Sequence, residues 1–410
     1  MSGILAMKYG SQNVPLAFKK ESSRLSHREP PVSVNPDIFR ELLATSLPLT
    51  VSEISDVGIV VADKTRLCEY PTYLPVLTNH LLEAGLLPSN ITFYIAYGTH
   101  APQSEEECLE SYGETYKKFR FVHHNSRAEK GFRTLGTTSR GTSIRIAKQV
   151  LKHDLLITFG AILHHYFAGY GGGRKLLFPG LGAYGSILEN HRLFLDFNTR
   201  TPATGCQSGQ LDQNPLALDL EEINSTLPAR FEIHALLNSQ KQVCELYAGR
   251  NYADFRKVCQ RYDYYFRSND KQQYDLVVAS AGGYPKDINF IQAHKSIHNA
   301  ASFVINGGKL VIFAECRDGI GNPDFMDIFK LGGRDQIFEH LEVAYKNNAG
   351  TALSMLEKSE RIDIHMITSL SVEDCKLMGA FKCAAEDVQK IIDMEQGSVA
   401  VLAYAGMLYR

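Results

Sequence analysis

No tryptophan occurs anywhere in the 410 residues, so no indole is available to wall a ligand pocket. Neither sign of charge is in excess. The 43 Lys and Arg against 45 Asp and Glu leave a formal net charge of -2 and a pI near 6.7, which gives no global basic field for nucleic acid. No apolar run reaches the ~18 residues that span a bilayer. The opening MSGILAMKYGSQNVPLAFKK also lacks the long apolar stretch of a secretory signal. No membrane partner is therefore expected, and the expected compartment is the cytoplasm. Cys68, Cys108, Cys206, Cys244, Cys259, Cys316, Cys375 and Cys383 are scattered without a C-x-x-C pair. They read as reduced, mostly buried thiols, and neither a disulfide framework nor a zinc knuckle is evident.

What is present is an alternation. The segment 4–20 reads as two short strands around Gly-Ser-Gln-Asn, and 20–37, with Pro30 and Pro31, reads as a surface connection. Runs rich in Val, Ile, Phe and Tyr follow at 57–63, 91–98, 119–124 and 154–160, separated by helix-like stretches at 75–86 and 104–119. Continuous apolar strands between helices imply a mostly parallel sheet covered on both faces. A second set of such runs lies at 274–283, 307–319, 361–370 and 397–406, with helical candidates at 324–333 and 385–396. The expected architecture is two α/β domains with mostly parallel sheets and an active-site cleft between them. The expected division is 1–265 and 266–410, leaving open whether the last strand crosses back to the first domain.

The polar chemistry clusters just after predicted strands. Asp63, Thr65 and Arg66 follow VVAD; Gly98, Thr99 and His100 follow YIAY. His164, His165 and the loop GYGGGRK follow LLITFGAIL, and Gln292 and Lys295 follow LVVASAGG at a greater distance. In open parallel sheets the carboxyl ends of the strands form the ligand crevice, so four clusters there point to one site. Each has a plainer reading. A glycine-rich turn is common packing punctuation, and a single His is usually a satisfied core group. Asp63 and Arg66 can form a local ion pair of little worth, and Gln292 with Lys295 can be an exposed helix face. The loop is neither a Walker motif, since no Ser or Thr follows Lys175, nor a G-x-G-x-x-G fingerprint. His100, His165 and His191 could together hold a catalytic zinc, as in a metal-dependent hydrolase. A non-catalytic nucleotide-binding protein, with the glycine loop on a phosphate, is a further alternative.

Taken together these residues resemble the nickel-dependent lactate racemase family. DKTR (63–66) is similar to its D-x-T-R segment, and GTH (98–100) followed by APQSEEE to its G-x-H segment and acidic helix start. HYFAGYGGGRKLLFPG (165–180) with NH at 190–191 is similar to its longest signature, with ten residues from His165 to Lys175 and sixteen more to His191. GGYPKDINFIQAHK (282–295) is similar to its C-terminal-domain segment. The resemblance implies a nickel pincer nucleotide tethered through a thioamide to Lys175, with His191 as nickel ligand. It implies Asp63, Thr65, Gly172 and Gly173 around that cofactor, His100 and His165 as the acid/base pair, and Arg66, Gln292 and Lys295 on the substrate. It implies that other enzymes make the cofactor. The implied reaction is racemisation or epimerisation of a small 2-hydroxy acid by reversible hydride transfer through a 2-oxo acid. His164 is expected to point away from its neighbour and serve the scaffold. Two departures stand out. Leu67 takes the place of a proline that often follows D-x-T-R, and the C-terminal-domain tryptophan of some lactate-acting members is missing. The expected substrate is therefore larger or more polar than lactate.

Overall fold

VGIVVA (Val57–Ala62) and LLITFGA (Leu155–Ala161) are buried at every position, as strands covered on both faces must be. In the computed structural model, which describes residues 3–49, 54–128, 130–322 and 325–410, they are the central pair of a six-stranded sheet. Its order is Val243–Gly249, Phe231–Leu237, Leu155–Ala161, Val57–Ala62, Ile91–Ala96, Arg120–His123. Every neighbouring pair is parallel except Phe231–Leu237 with the edge strand Val243–Gly249, which is antiparallel. The chain runs outward from Val57–Ala62 through Ile91–Ala96 to Arg120–His123, then returns to the other side with Leu155–Ala161. Strand order thus reverses between Val57–Ala62 and Leu155–Ala161, the kind of crevice where such sheets bind ligands.

The helices follow from local chemistry. Asn35 accepts from the amides of Asp37 and Ile38 at 3.0 and 2.9 Å, and Pro36 opens the helix Pro36–Ser46. Ser104 and Glu107 form a capping box on Glu105–Tyr112. The single helix expected over 104–119 is in fact two. Gly113, at φ +60°, turns the chain, and Glu114–Lys118 starts afresh.

The second sheet has the order Phe381–Lys382, Asp363–Ile367, Val304–Phe313, Tyr274–Ser280, Val399–Leu402, Ser23–Arg24, all parallel. Of the helix expected at 324–333, Phe325–Phe329 forms and Asp324 lies outside the described residues.

The chain forms two compact units: one of Glu29–Leu193 with Gly205–Tyr265, the other of Met1–Arg28, Phe194–Thr204 and Phe266–Arg410. The expected cut at 265/266 coincides with a unit boundary, but a linear division does not describe the chain. The last strand stays in the second sheet; it is the N-terminal strands that cross over. The hairpin Gly3–Tyr9/Gln12–Phe18 buries Met7, Leu16 and Phe18 in one core with Leu276, Val278, Val311, Phe313 and Val401. Ser23–Arg24, within the expected surface connection, pairs with Val399–Leu402. In 194–204, Phe197 packs edge-on to Phe338 and Arg200 pairs with Asp335 and Glu339.

Candidate active site

The carboxyl end of Val57–Ala62 is fixed by tyrosines. Tyr70 Oη accepts from the Ala62 amide at 2.8 Å and donates to the Phe159 carbonyl at 2.7 Å, tying the two central strands together. Tyr112 Oη shares its one proton between the Ala62 carbonyl at 2.9 Å and Gln103 Oε1 at 3.1 Å, and Gln103 Oε1 also accepts from the Lys64 amide at 3.0 Å. On this anchored end sits Asp63, only 4% exposed. It caps the short 3-10 turn Lys64–Arg66. Its Oδ1 accepts from the Thr65 amide at 2.9 Å and the Thr65 hydroxyl at 2.6 Å, and its Oδ2 lies 2.5 Å from His100 Nδ1. Burial alone would raise the Asp63 carboxyl. The hydrogen bond and charge of His100, helped by the Thr65 hydroxyl and more distantly by Arg66, outweigh it and hold the group down at about 2. Asp63 and Thr65 are thus spent on each other and on His100. The local Asp63–Arg66 pair gives way to this longer-range one.

His100 follows Ile91–Ala96. Gly98, at φ +57°, donates its amide to the Gly180 carbonyl at 2.9 Å and so docks this turn on the glycine loop. The His100 side chain is 43% exposed, open to a ligand on its outer edge.

His164 and His165 form a two-residue ribbon with Gly169–Tyr170. Their side chains diverge, as strand geometry requires. His164 turns inward, with Nε2 2.8 Å from Asp263 and its ring edge-on to Tyr262, the scaffold role expected for it. His165 Nδ1 accepts from the amides of Phe167 at 3.2 Å and Ala168 at 3.1 Å.

The glycine loop carries a packing reason of its own. Gly172 has φ +73°, and a Cβ there would lie 2.3 Å from the Ala161 carbonyl oxygen. Gly173 has φ +48°, and a Cβ would lie 2.5 Å from the Phe255 ring. Gly172 lets the loop lie against its own sheet and Gly173 lets it lie against the helix Tyr252–Phe266, a reason independent of any cofactor. The loop leads into the 3-10 turn Gly173–Leu176, where Lys175 is 6% exposed.

His191 lies in the last turn of the helix Tyr184–Arg192. Burial, then the charge of Lys175, push its imidazole down to about 3, the Ile187 carbonyl one turn earlier opposing. Its Nδ1 is buried and makes no hydrogen bond of normal geometry among the described residues.

One pocket is lined by Asp63, Arg66, His100, His165, Gly172, Lys175 and His191, together with apolar Leu176, Pro179 and Ile187. All belong to the first unit. Gln292 and Lys295 stand on the helix Phe290–Ala301 of the other unit, with Lys295 Nζ donating to Gln292 Oε1 at 2.7 Å. Among the described residues no group of three or more His, Cys, Asp or Glu side chains is arranged to hold a metal ion. The zinc reading of His100, His165 and His191 thus lacks its ligand cluster.

Residues 9–202 match the model of the lactate racemase N-terminal domain, and residues 269–353 that of the lactate racemase C-terminal domain. The chain belongs to the lactate racemase family. It is 30% identical over 276 residues to a lactate racemase of Thermoanaerobacterium thermosaccharolyticum, covering 67% of this chain and 63% of that one. It is 29% identical over 271 residues to a lactate racemase of Lactiplantibacillus plantarum, covering 66% and 62%. The aligned segments thus span a little under two thirds of those relatives' length. The fold is similar to that of the lactate racemase apoprotein from T. thermosaccharolyticum (TM-score 0.86, 23% identity, 99% of each chain). It is also similar to that of a structural-genomics protein from Thermotoga maritima (TM-score 0.69, 16% identity, 94% of this chain and 100% of that one). Within this family member, sequence reasoning missed the Asp63–His100 pair and the tyrosine clamp behind it. The only signals in the sequence were the adjacency of D-x-T-R and G-T-H to strand ends. Among the described residues no helix is long and apolar enough to cross a membrane.

Proposed function

We propose that the chain is an isomerase, a racemase or epimerase acting at C2 of a 2-hydroxy acid. The observation that carries the reading is the convergence of a guanidinium, two imidazoles with distinct partners, a buried lysine and a half-buried histidine held neutral in one pocket at the strand ends. The relatives named lactate racemase support it.

The residues present fit a lysine-tethered nickel pincer nucleotide. Such a group brings its own carbon and sulfur donors, so it needs a single protein ligand rather than a cluster. His191, held neutral with Nδ1 buried and without a normal hydrogen bond, suits that part, since a metal ligand must be proton-free. Lys175 would hold the group and Gly172 would border it. Asp63 and Thr65 orient His100, and the resemblance also sets them beside the cofactor. When bound, the nucleotide supplies the acceptor and donor for the C2 hydride. It comes from other enzymes, which are partners in trans.

The chain's own residues do the rest. Arg66 grips the substrate carboxylate, a planar fork on two oxygens. Asp63 accepts Nδ1–H of His100, which leaves Nε2 bare to take the 2-hydroxyl proton, and its carboxylate stabilises the imidazolium that results. His165 serves the oxygen when the 2-oxo acid has turned to its other face. For Gln292 and Lys295 the assignment to the substrate rests on the resemblance of their segment alone. With no indole in the chain, the reading extends to a substrate larger or more polar than lactate.

Peptide mapping of protein purified with its cofactor tests the assignment. The adduct falls on Lys175, and Lys175→Ala abolishes both adduct and turnover. His191→Ala lowers bound nickel. His100→Ala and His165→Ala keep adduct and nickel but lose roughly 10²–10⁴-fold in turnover. An adduct on another lysine, or nickel lost with His100→Ala, overturns the assignment.

A further inference from the structure

The partners of the two imidazoles differ in kind. His100 Nδ1 meets a carboxylate at 2.5 Å, and that carboxylate stays ionised down to about pH 2. An anion accepts only, so Nδ1 of His100 bears the proton, and the lone pair of the neutral ring is on Nε2. His165 Nδ1 meets two backbone N–H groups, at 3.2 and 3.1 Å. Backbone amides donate only, so Nδ1 of His165 bears the lone pair, and the proton of the neutral ring is on Nε2.

Resting on the proposed racemase reading, we infer that the two histidines are held in opposite tautomers: His100 is folded as a base, and His165 as a hydrogen-bond donor. His165 becomes a base only when the turn Tyr166–Ala168 releases its Nδ1. The proton count makes the point. His100 accepts a hydroxyl proton at Nε2 with no change at Nδ1. His165 cannot accept one at Nε2, which already carries a proton. To donate and be left neutral it must first gain a proton at Nδ1, where two N–H groups now point. Either event breaks both amide contacts. The positioning elements are therefore Asp63 on one side and the Phe167 and Ala168 amides on the other.

The consequence is an asymmetry between enantiomers that equilibrium constrains. Enantiomers in water have equal free energy, so kcat/KM must be the same in both directions. Both directions pass through release of the turn, one to protonate the carbonyl oxygen and the other to deprotonate the hydroxyl. The two bound enantiomers rest in unequal complexes, one with its hydroxyl donating to a ready base and the other with its hydroxyl accepting from His165 Nε2–H, and this inequality appears as kcat and KM that differ by the same ratio.

Two measurements test this. The first is nitrogen NMR of histidine-labelled apoprotein at neutral pH, with His100→Gln and His165→Gln to assign the signals. It should find the His100 proton on Nδ1 and the His165 proton on Nε2. Both rings in one tautomer, or His165 with Nδ1–H, overturns the inference. The second is initial rates of the cofactor-loaded enzyme with each enantiomer of the best-exchanged acid, which should give kcat and KM unequal by the same severalfold ratio. Equal kcat with equal KM overturns the gating half. Loaded enzyme that exchanges no acid would sink the racemase reading, while the tautomers, read on apoprotein, would stand or fall on their own.

Discussion

Asp63 links stability to acid as well as orienting His100. Its carboxyl falls from 3.8 to about 2 on folding. A lowered carboxyl contributes stability above its unfolded pKa and loses it as pH drops through the folded one. That is about 2 kcal/mol at neutral pH, given up between roughly pH 4 and pH 2. Denaturant unfolding of Asp63→Asn should show a shallower loss across that window than the parent chain, and activity should fall by about 10²-fold or more because the His100 tautomer is no longer fixed. An unchanged acid limb would contradict the assignment. His191 acts in a higher window. Its ring, pushed down to about 3 from 6.5, stays neutral when folded while the unfolded ring takes a proton. Its burial therefore costs stability progressively from about pH 6.5 to pH 3, and His191→Gln should flatten that stretch in the same unfolding series. At this scale the sequence was half legible. The polar clusters at strand ends could be seen because strands read as apolar runs and chemistry follows them. The contact between Asp63 and His100 could not, because 37 positions separate them and no local period links the two.

Among the elements, the glycine loop yields a sharp contrast. Gly172→Ala combines φ +73° with a Cβ 2.3 Å from the Ala161 carbonyl oxygen, so backbone must move and a loss of roughly 1–3 kcal/mol is expected. Gly171→Ala meets only the Leu163 carbonyl, at 3.8 Å and without a positive φ, and should leave the thermal midpoint nearly unchanged. Equal effects would show that the loop is not shaped by its own sheet. The central strands were readable from VGIVVA and LLITFGA because burial on both faces leaves no room for alternation. Phe231–Leu237 was not, although it too is wholly buried. Its Glu232 and His234 break the apolar run, and they are tolerated because Glu232 contacts Arg230 at 2.6 Å and His234 at 3.1 Å.

For the whole molecule, the N-terminal hairpin is the part that reading along the chain could not place. Alternation announces two strands but does not say which sheet they cover. Met7 and Phe18 are 0% and 2% exposed in the core of the unit whose largest part is Phe266–Arg410. Met7→Ala or Phe18→Ala should each cost about 2–5 kcal/mol. Hydrogen exchange should speed up in Tyr274–Ser280 and Val304–Phe313, whereas Val57–Ala62 keeps its protection. Loss of protection in Val57–Ala62 instead would put the hairpin on the wrong unit. The central claim, that the pocket in the first unit inverts C2 of a 2-hydroxy acid, meets its most direct test in chiral analysis. Protein verified to carry the nickel nucleotide would be incubated with single enantiomers of lactate, malate, phenyllactate and sugar acids. The account predicts configurational exchange, with kcat/KM higher for one of the bulkier or more polar acids than for lactate. No exchange with any member would contradict the claim.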